Sequence, residues 1–248
     1  GSKLTPLTGN ERLKILHDYY RLGREDEFNF DIRQGRITGT DFRNEICNTR
    51  IKYHPDYFED EGKVGRVLFI KKYPTYLSDR FFTELTFLPV HSVTSVDVVP
   101  VPKDLTMKML QKKYLGIESD IIKQQRTRNR NNDFSSDISY ATRQKKKDIE
   151  EIMNNVREND ESLYYVSVTM IVMADDRDEL ESICETVDSI AKGAGCAVDT
   201  CMYKQREAVN TTLPIGVRQI ETMRTMLTQS LAVLMPFNCL LYTSDAAD

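Results

Sequence analysis

The sequence predicts an α+β protein: a split ferredoxin-like sheet (βαβ, insert, βαβ) with helices on one face and a long antiparallel helical hairpin inserted in the middle. Three observations carry this. The run Leu163–Met173 alternates Val166, Val168, Met170 and Val172 with Tyr165, Ser167, Thr169 and Ile171, the pattern of an extended strand. Both of its faces are apolar, which suits a central strand in a covered sheet. Strand-helix-strand patterns flank a charged stretch with helical periodicity on either side, and two such units parted by an insertion are the one-dimensional image of a split sheet.

Residues 1–61 read as an N-terminal helix followed by an irregular, short-strand segment. Leu13, Ile15, Leu16, Tyr19 and Tyr20 give the helix its apolar side, and Gly23 follows it. Phe28, Phe30 and Ile32 alternate as in a short strand, broken by Gly35 and Gly39. The core is placed at 62–212. It opens with a turn at Gly62 and a strand through Val64, Val67, Leu68, Phe69 and Ile70. A helix follows, capped by Ser78 and facing inward through Phe81, Phe82, Leu85 and Leu88, and then a strand from Val93 to Val101 bounded by prolines.

The hairpin insertion spans 105–161. Met107, Leu110, Tyr114, Ile117 and Ile121 recur at spacings of three and four, and Ile149, Ile152 and Val156 repeat the pattern on the return. After the central strand, an aspartate before the helix and Glu179 in its first turn suit a helix N-terminus, and Leu180, Ile183, Val187, Ile190 and Ala191 line one stripe. Gly193 and Gly195 end that helix, and Cys196 to Met202 reads as the next strand. Residues 213–238 read as a turn at Leu213–Gly216 and the start of a linker helix through Ile220, Met223, Met226, Leu227, Leu231 and Leu234.

Composition bounds the function classes. With 248 residues, 40% hydrophobic and 29% charged, the chain has the make-up of a soluble globular protein, and a net charge of -4 gives no global pull toward nucleic acid or anionic membrane. No apolar run reaches the roughly 18 to 20 residues that span a bilayer. The first ten residues lack an initiator Met and a signal-peptide core, so either the natural start is missing or a cloning scar replaces it. Five cysteines inside apolar patterns read as reduced thiols. Residues 239–248, Cys-Leu-Leu-Tyr-Thr-Ser-Asp-Ala-Ala-Asp, resemble the translation of a transposase sequencing adapter and are read as an artefact.

Few residues point to chemistry, and no catalytic, cofactor-binding or metal position is assigned. No Gly-x-x-x-x-Gly-Lys-Ser/Thr loop is present to wrap phosphates with backbone N–H groups. Gly62-Lys-Val-Gly65 reads as a turn before a strand. His17, His54 and His91 are far from one another, and Cys196 and Cys201 would point to opposite faces of one strand. Asp175, Asp176, Asp178 and Glu179 are explained by helix capping without a cation. The polar feature that stands out is the hairpin tip. Lys123, Arg126, Arg128, Arg130, Arg143, Lys145, Lys146 and Lys147 stand against Asp133 and Asp137, a local charge of +6. Arg126, Arg128, Arg130, Lys145, Lys146 and Lys147 are the candidate interaction surface, for protein, anionic lipid or nucleic acid, with a solvated helix face as the plain alternative.

Several blocks together resemble the N-terminal region of the TraE/TraC-like (VirB-type) ATPases of conjugation and type IV secretion. They are Leu13-Lys-Ile-Leu-His-Asp-Tyr-Tyr-Arg21, Gly65-Arg-Val-Leu-Phe-Ile70 through Ser78-Asp79, Val96-Asp-Val-Val-Pro-Val-Pro102, Gln124-Gln-Arg-Thr-Arg-Asn-Arg-Asn-Asn132, and Asn210-Thr-Thr-Leu-Pro-Ile-Gly-Val-Arg218 running into Ser230-Leu-Ala-Val-Leu-Met-Pro-Phe237. The resemblance implies a docking and assembly domain whose RecA-like motor, with its ATP and Mg site, follows this stretch. It implies as partners other subunits of the same ATPase and membrane components of the channel, and a cytoplasmic location at the inner face of the membrane. This stretch carries no catalytic residue of that family, so none is transferred and no enzyme activity is expected of it. The competing expectation is a stand-alone nucleic-acid-binding module on the same sheet, which would need stacking aromatics on its strands.

Overall fold

A computed structural model describes residues 5–47, 50–74, 77, 79–130, 139–158 and 161–234. It is a mixed α+β structure with a seven-stranded, open antiparallel sheet. The strands are β1 (Lys52–Tyr53), β2 (Phe58–Asp60), β3 (Lys63–Lys72), β4 (Ser92–Pro100), β5 (Leu163–Ala174), β6 (Ala197–Thr200) and β7 (Arg224–Leu227). Their main path is β1-β2-β3-β5-β4, with β6 also on β3 and β7 also on β5. Nine α-helices occur among the described residues: α1 (Gly9–Tyr20), α2 (Ile32–Thr38), α3 (Phe42–Ile46), α4 (Asp79–Thr86), α5 (Lys103–Arg130), α6 (Tyr140–Glu158), α7 (Arg177–Gly193), α8 (Gln205–Thr212) and α9 (Thr228–Ala232). Among the described residues the chain divides into two compact units, one running to residue 97 with 167–224 and 233–234, the other 98–166 with 225–232.

In the first unit β3 is bonded along both edges. One edge pairs with β5, Val64 opposite Ala174 through Phe69 opposite Thr169. The other is divided, residues 63–65 pairing with β2 and 68–72 with β6. Val67 lies between the two partners. There the side chain of Gln205, 1% exposed, stands in for a strand: the Val67 N–H donates to its Oε1 at 2.9 Å, and its Nε2 donates to the Cys201 carbonyl at 3.0 Å. The Cys201 N–H donates to the Val67 carbonyl at 3.0 Å, so no backbone group at the break is left bare. Glu61 and Gly62, both at positive φ, make the tight turn joining β2 to β3.

Gly65 lies inside β3 rather than in a turn before it. It is opposite Phe58 on one side and Met173 on the other, and both side chains fold over the space that a Cβ would fill. Alternation then sends Val67, Ile171 and Met173 to one face, where they pack with Tyr19 of α1 and Ala208 and Val209 of α8. Arg66 points to the other face and bonds Glu181 of α7. The two helices that connect strands, α4 and α7, pack against each other as expected, but α1 and α8 lie opposite α7, so the sheet has helices on both faces rather than one. The cause is β5, whose residues from Val166 to Ala174 are all buried; an apolar strand with two greasy faces needs cover on both.

Three further sequence readings change. The expected strand at Phe28–Ile32 is absent, because Asp31 accepts from the N–H groups of Arg33 and Gln34 and starts α2 there. Asp41 starts α3 in the same way, through Arg43 N–H at 3.0 Å. Gly39, at φ 73°, ends α2 between them. α8 was not expected at all. The linker helix expected from residue 213 gives way to β7 and the short α9. The Ser78 cap lies outside the described residues, as do residues 235–248.

The second unit holds the two long helices. Val101 N–H donates to the Leu163 carbonyl at 2.9 Å, which ties the approach to α5 to the first residue of β5. Thr106 turns its hydroxyl back to the Pro102 carbonyl, and the Tyr165 hydroxyl meets Met109 Sδ at 3.3 Å. Farther along, Glu118 of α5 pairs with Lys146 of α6 at 3.0 Å. Thr228 exchanges two bonds with Ser162, donating to its carbonyl and accepting from its N–H, and so holds the end of β7 beside the start of β5. β3 takes only residues 169–174 of β5, so the earlier half of the strand has an edge for β7 to occupy. A bare edge is costly, and this overrides the helical spacing read in residues 220–234.

Gln205→Leu keeps the volume and leaves the Val67 N–H buried without an acceptor. It is expected to lower the unfolding free energy by about 1 to 3 kcal/mol, read as a lower urea midpoint at unchanged slope.

Candidate interaction surface and cleft

The basic residues singled out in the sequence separate by exposure. Arg126 and Arg130 are exposed near the end of α5, and Lys145 and Lys147 are exposed on α6. Lys146 is not free: its ammonium pairs with Glu118 and lies 5.1 Å from the centre of the Tyr114 ring. The Glu118 carboxylate holds Lys146 above its ordinary pKa. Lys146 therefore serves the contact between α5 and α6, through a pair and a cation-π contact. Arg128 lies on α5, but its side chain is outside the described residues, as are residues 131–138 with Asp133 and Asp137.

The acidic group at 175–179 is spent on structure. Asp176 Oδ1 accepts from Glu179 N–H at 2.9 Å, Glu179 Oε2 accepts from Asp175 N–H at 2.8 Å, and Asp175 pairs with Lys63. Cys196 and Cys201 flank β6 and are buried, which pushes their thiols up to about 11 and about 12. His17 is buried at the end of α1, edge-on to Phe28.

A denser charge cluster, unread in the sequence, lies on the α7 side of β3. Arg66, its side chain 7% exposed, donates to both Glu181 oxygens at 2.6 and 2.8 Å, to Asp56 Oδ2 at 3.0 Å and to the Asp56 carbonyl at 2.9 Å. Arg177 donates to the same Asp56 carboxylate and covers the Tyr57 ring at 3.9 Å, and His54 stacks on that ring at 4.2 Å. Arg66 and Arg177 are both paired with Asp56 and Glu181, so the cluster reads as a clamp between β3, α7 and the turn before β2.

The first unit also carries an open cleft of about 530 Å³. Tyr20 from the end of α1, Arg43 and Ile46 from α3 with Cys47 just after it, Ile51 and Tyr53 at β1 and Arg206 from the first turn of α8 line it. Tyr20 and Ile51 also border a small enclosed void above Phe58, Ile171 and Met173, so the cleft floor is the core itself. Burial raises both tyrosines, Tyr53 to about 12, and both phenols stay protonated at neutral pH. No local motif announces these residues, which lie up to 186 positions apart; a single extra signal, the pair of tyrosines at 19 and 20, was absorbed into the helix pattern.

Neither a protein-family model nor a curated protein matches the chain. No helix among the described residues is long and apolar enough to cross a membrane.

The Arg66 hydrogen bonds hold Glu181 below the usual carboxylate range. The unfolded state thus takes up the proton first as pH falls, and the stabilisation present above the ordinary glutamate pKa of about 4.3 is lost below it. Glu181→Gln is expected to reduce stability at pH 7 and to shallow the decline between pH 5 and 3. Urea midpoints across that range check it; parallel curves for parent and variant would contradict the clamp.

Proposed function

We propose that this chain is the N-terminal docking and assembly domain of a conjugative-transfer (type IV secretion) ATPase. Its parent would couple ATP hydrolysis in a following motor domain to channel assembly and DNA transfer. The observation that carries the reading is the strand order β6-β3-β5-β4, with α4 between β3 and β4 and α7 between β5 and β6. That order supports a split ferredoxin-like sheet interrupted after its second strand, the arrangement expected from the sequence blocks that resemble this family. The contacts tying the start of α5 to β5 and Glu118 to Lys146 support an antiparallel hairpin for the insertion. On this reading the domain holds no ATP or Mg itself. It meets other copies of the ATPase and membrane components of the channel, at the inner face of the membrane.

The competing reading, a stand-alone nucleic-acid module, draws support from the exposed Arg126, Arg130, Lys145 and Lys147. It is weakened by β5, which is buried along nearly its whole length and offers no open face for base stacking.

Calorimetric titration of ATP with Mg into this chain is expected to give no saturable heat, and the reading frame beyond the codon for Asn238 to encode Gly-x-x-x-x-Gly-Lys-Ser/Thr. Micromolar ATP binding, or a frame lacking that segment, would overturn the proposal. A salt-dependent single-stranded DNA shift that disappears in Arg126→Gln/Arg128→Gln/Arg130→Gln would favour the nucleic-acid module instead.

A further inference from the structure

The cleft between α1, α3, β1 and α8 has the marks of a site rather than a gap in packing. Its volume of about 530 Å³ falls within the roughly 300 to 1,000 Å³ of small-molecule pockets. Its lining divides by chemistry. Ile46, Ile51 and the two tyrosine rings give an apolar body. The Tyr20 and Tyr53 hydroxyls and the Arg206 guanidinium bring donors to it, and none of the three has a hydrogen-bond partner among the described residues.

Charge fixes the sign of the ligand. Among the described residues no carboxylate lines the cleft. Arg43 is partly neutralised by Asp41 at 3.3 Å, whereas Arg206 has no ion pair with a described residue. Asp60 is buried and borders the small void rather than the cleft; its charge reaches Tyr53, where the Arg206 guanidinium acts in the opposite sense. An anionic head would thus meet one guanidinium with no ion pair among the described residues and two phenol donors, while its apolar part would lie on a floor that is already core. Charge-assisted bonds to a planar guanidinium are the strong kind.

From this juxtaposition we propose that the cleft binds a small organic anion, an aromatic or apolar body bearing one carboxylate, sulfonate or phosphate, with Arg206 and Tyr53 holding the anionic head. The site rests on the first unit alone and is independent of the docking reading.

The probe is 8-anilinonaphthalene-1-sulfonate, an aromatic ring system with one anionic group, titrated into the 248-residue chain with fluorescence as readout. The expected result is saturable binding of one probe per chain. Arg206→Gln weakens it about tenfold or more, Arg206→Lys recovers part of the loss, and Tyr53→Phe weakens it about threefold, while Lys147→Gln leaves it unchanged. The uncharged N-phenyl-1-naphthylamine binds more weakly and is indifferent to Arg206→Gln. Benzoate and phenyl phosphate, run as competitors, separate a carboxylate site from a phosphate site. Absence of saturable binding overturns the proposal. So does equal affinity in the parent, Arg206→Gln and Tyr53→Phe, which would mark adsorption to a generic apolar surface. Arg206 is exposed and holds no hydrogen bond or ion pair with a described residue, so thermal melts of each variant are expected to match the parent, which keeps the affinity changes interpretable as local.

Discussion

The break at Val67 is the constraint on which the rest of the first unit depends. A strand bonded on both edges cannot carry an unpaired N–H and C=O in its middle without a cost comparable to a lost hydrogen bond. β2 stops at the residue opposite Gly65 and β6 begins opposite Leu68, so something else has to serve the gap. Gln205 does so because its amide offers an acceptor and a donor in the spacing of a peptide group. That requirement fixes where α8 begins, and the position of α8 in turn sets Val209 to receive the Tyr19 hydroxyl and Arg206 to face the cleft. One buried amide thereby links sheet, core and candidate site.

The two faces of β5 impose the second condition. Each is apolar enough to need a helical layer, and each layer joins the sheet through a different chemistry. On the α1 and α8 side the contact is aromatic and aliphatic, with Phe58 and Met173 meeting over Gly65. On the α7 side Arg66 carries charge into the sheet and is tolerated because Glu181 and Asp56 neutralise it in place. The first kind of contact is non-directional and tolerates drift; the second fixes α7 against β3.

The candidate surface followed the same division between what is local and what is not. The basic run at 123–147 was legible because like charges adjacent in sequence remain adjacent on a helix. Yet Lys146 and Lys147, neighbours in the chain, have opposite fates: a rotation of about 100° per residue turns one toward Glu118 and Tyr114 and leaves the other in solvent. The cleft was illegible. Tyr20, Tyr53 and Arg206 come from three separated elements; Tyr20 belongs to the apolar side of α1, and Tyr53 and Arg206 form no pattern with their own neighbours.

The sequence by itself determined the element types wherever periodicity was long: α1, β3, β4, α5, α6, β5, α7 and β6 all follow from the spacing of their apolar residues. It also carried an aspartate cap before α7, which the structure identifies as Asp176, and the turn at Gly62, since these are set by bonds within a few residues. Only the tertiary structure decided that helices cover both sides of the sheet, that residues 224–227 pair as a strand, and that Gln205 completes β3. The reason is physical. Periodicity records which side of an element avoids water, while a bare strand edge or a second apolar face is satisfied by whatever segment the folded chain brings to it.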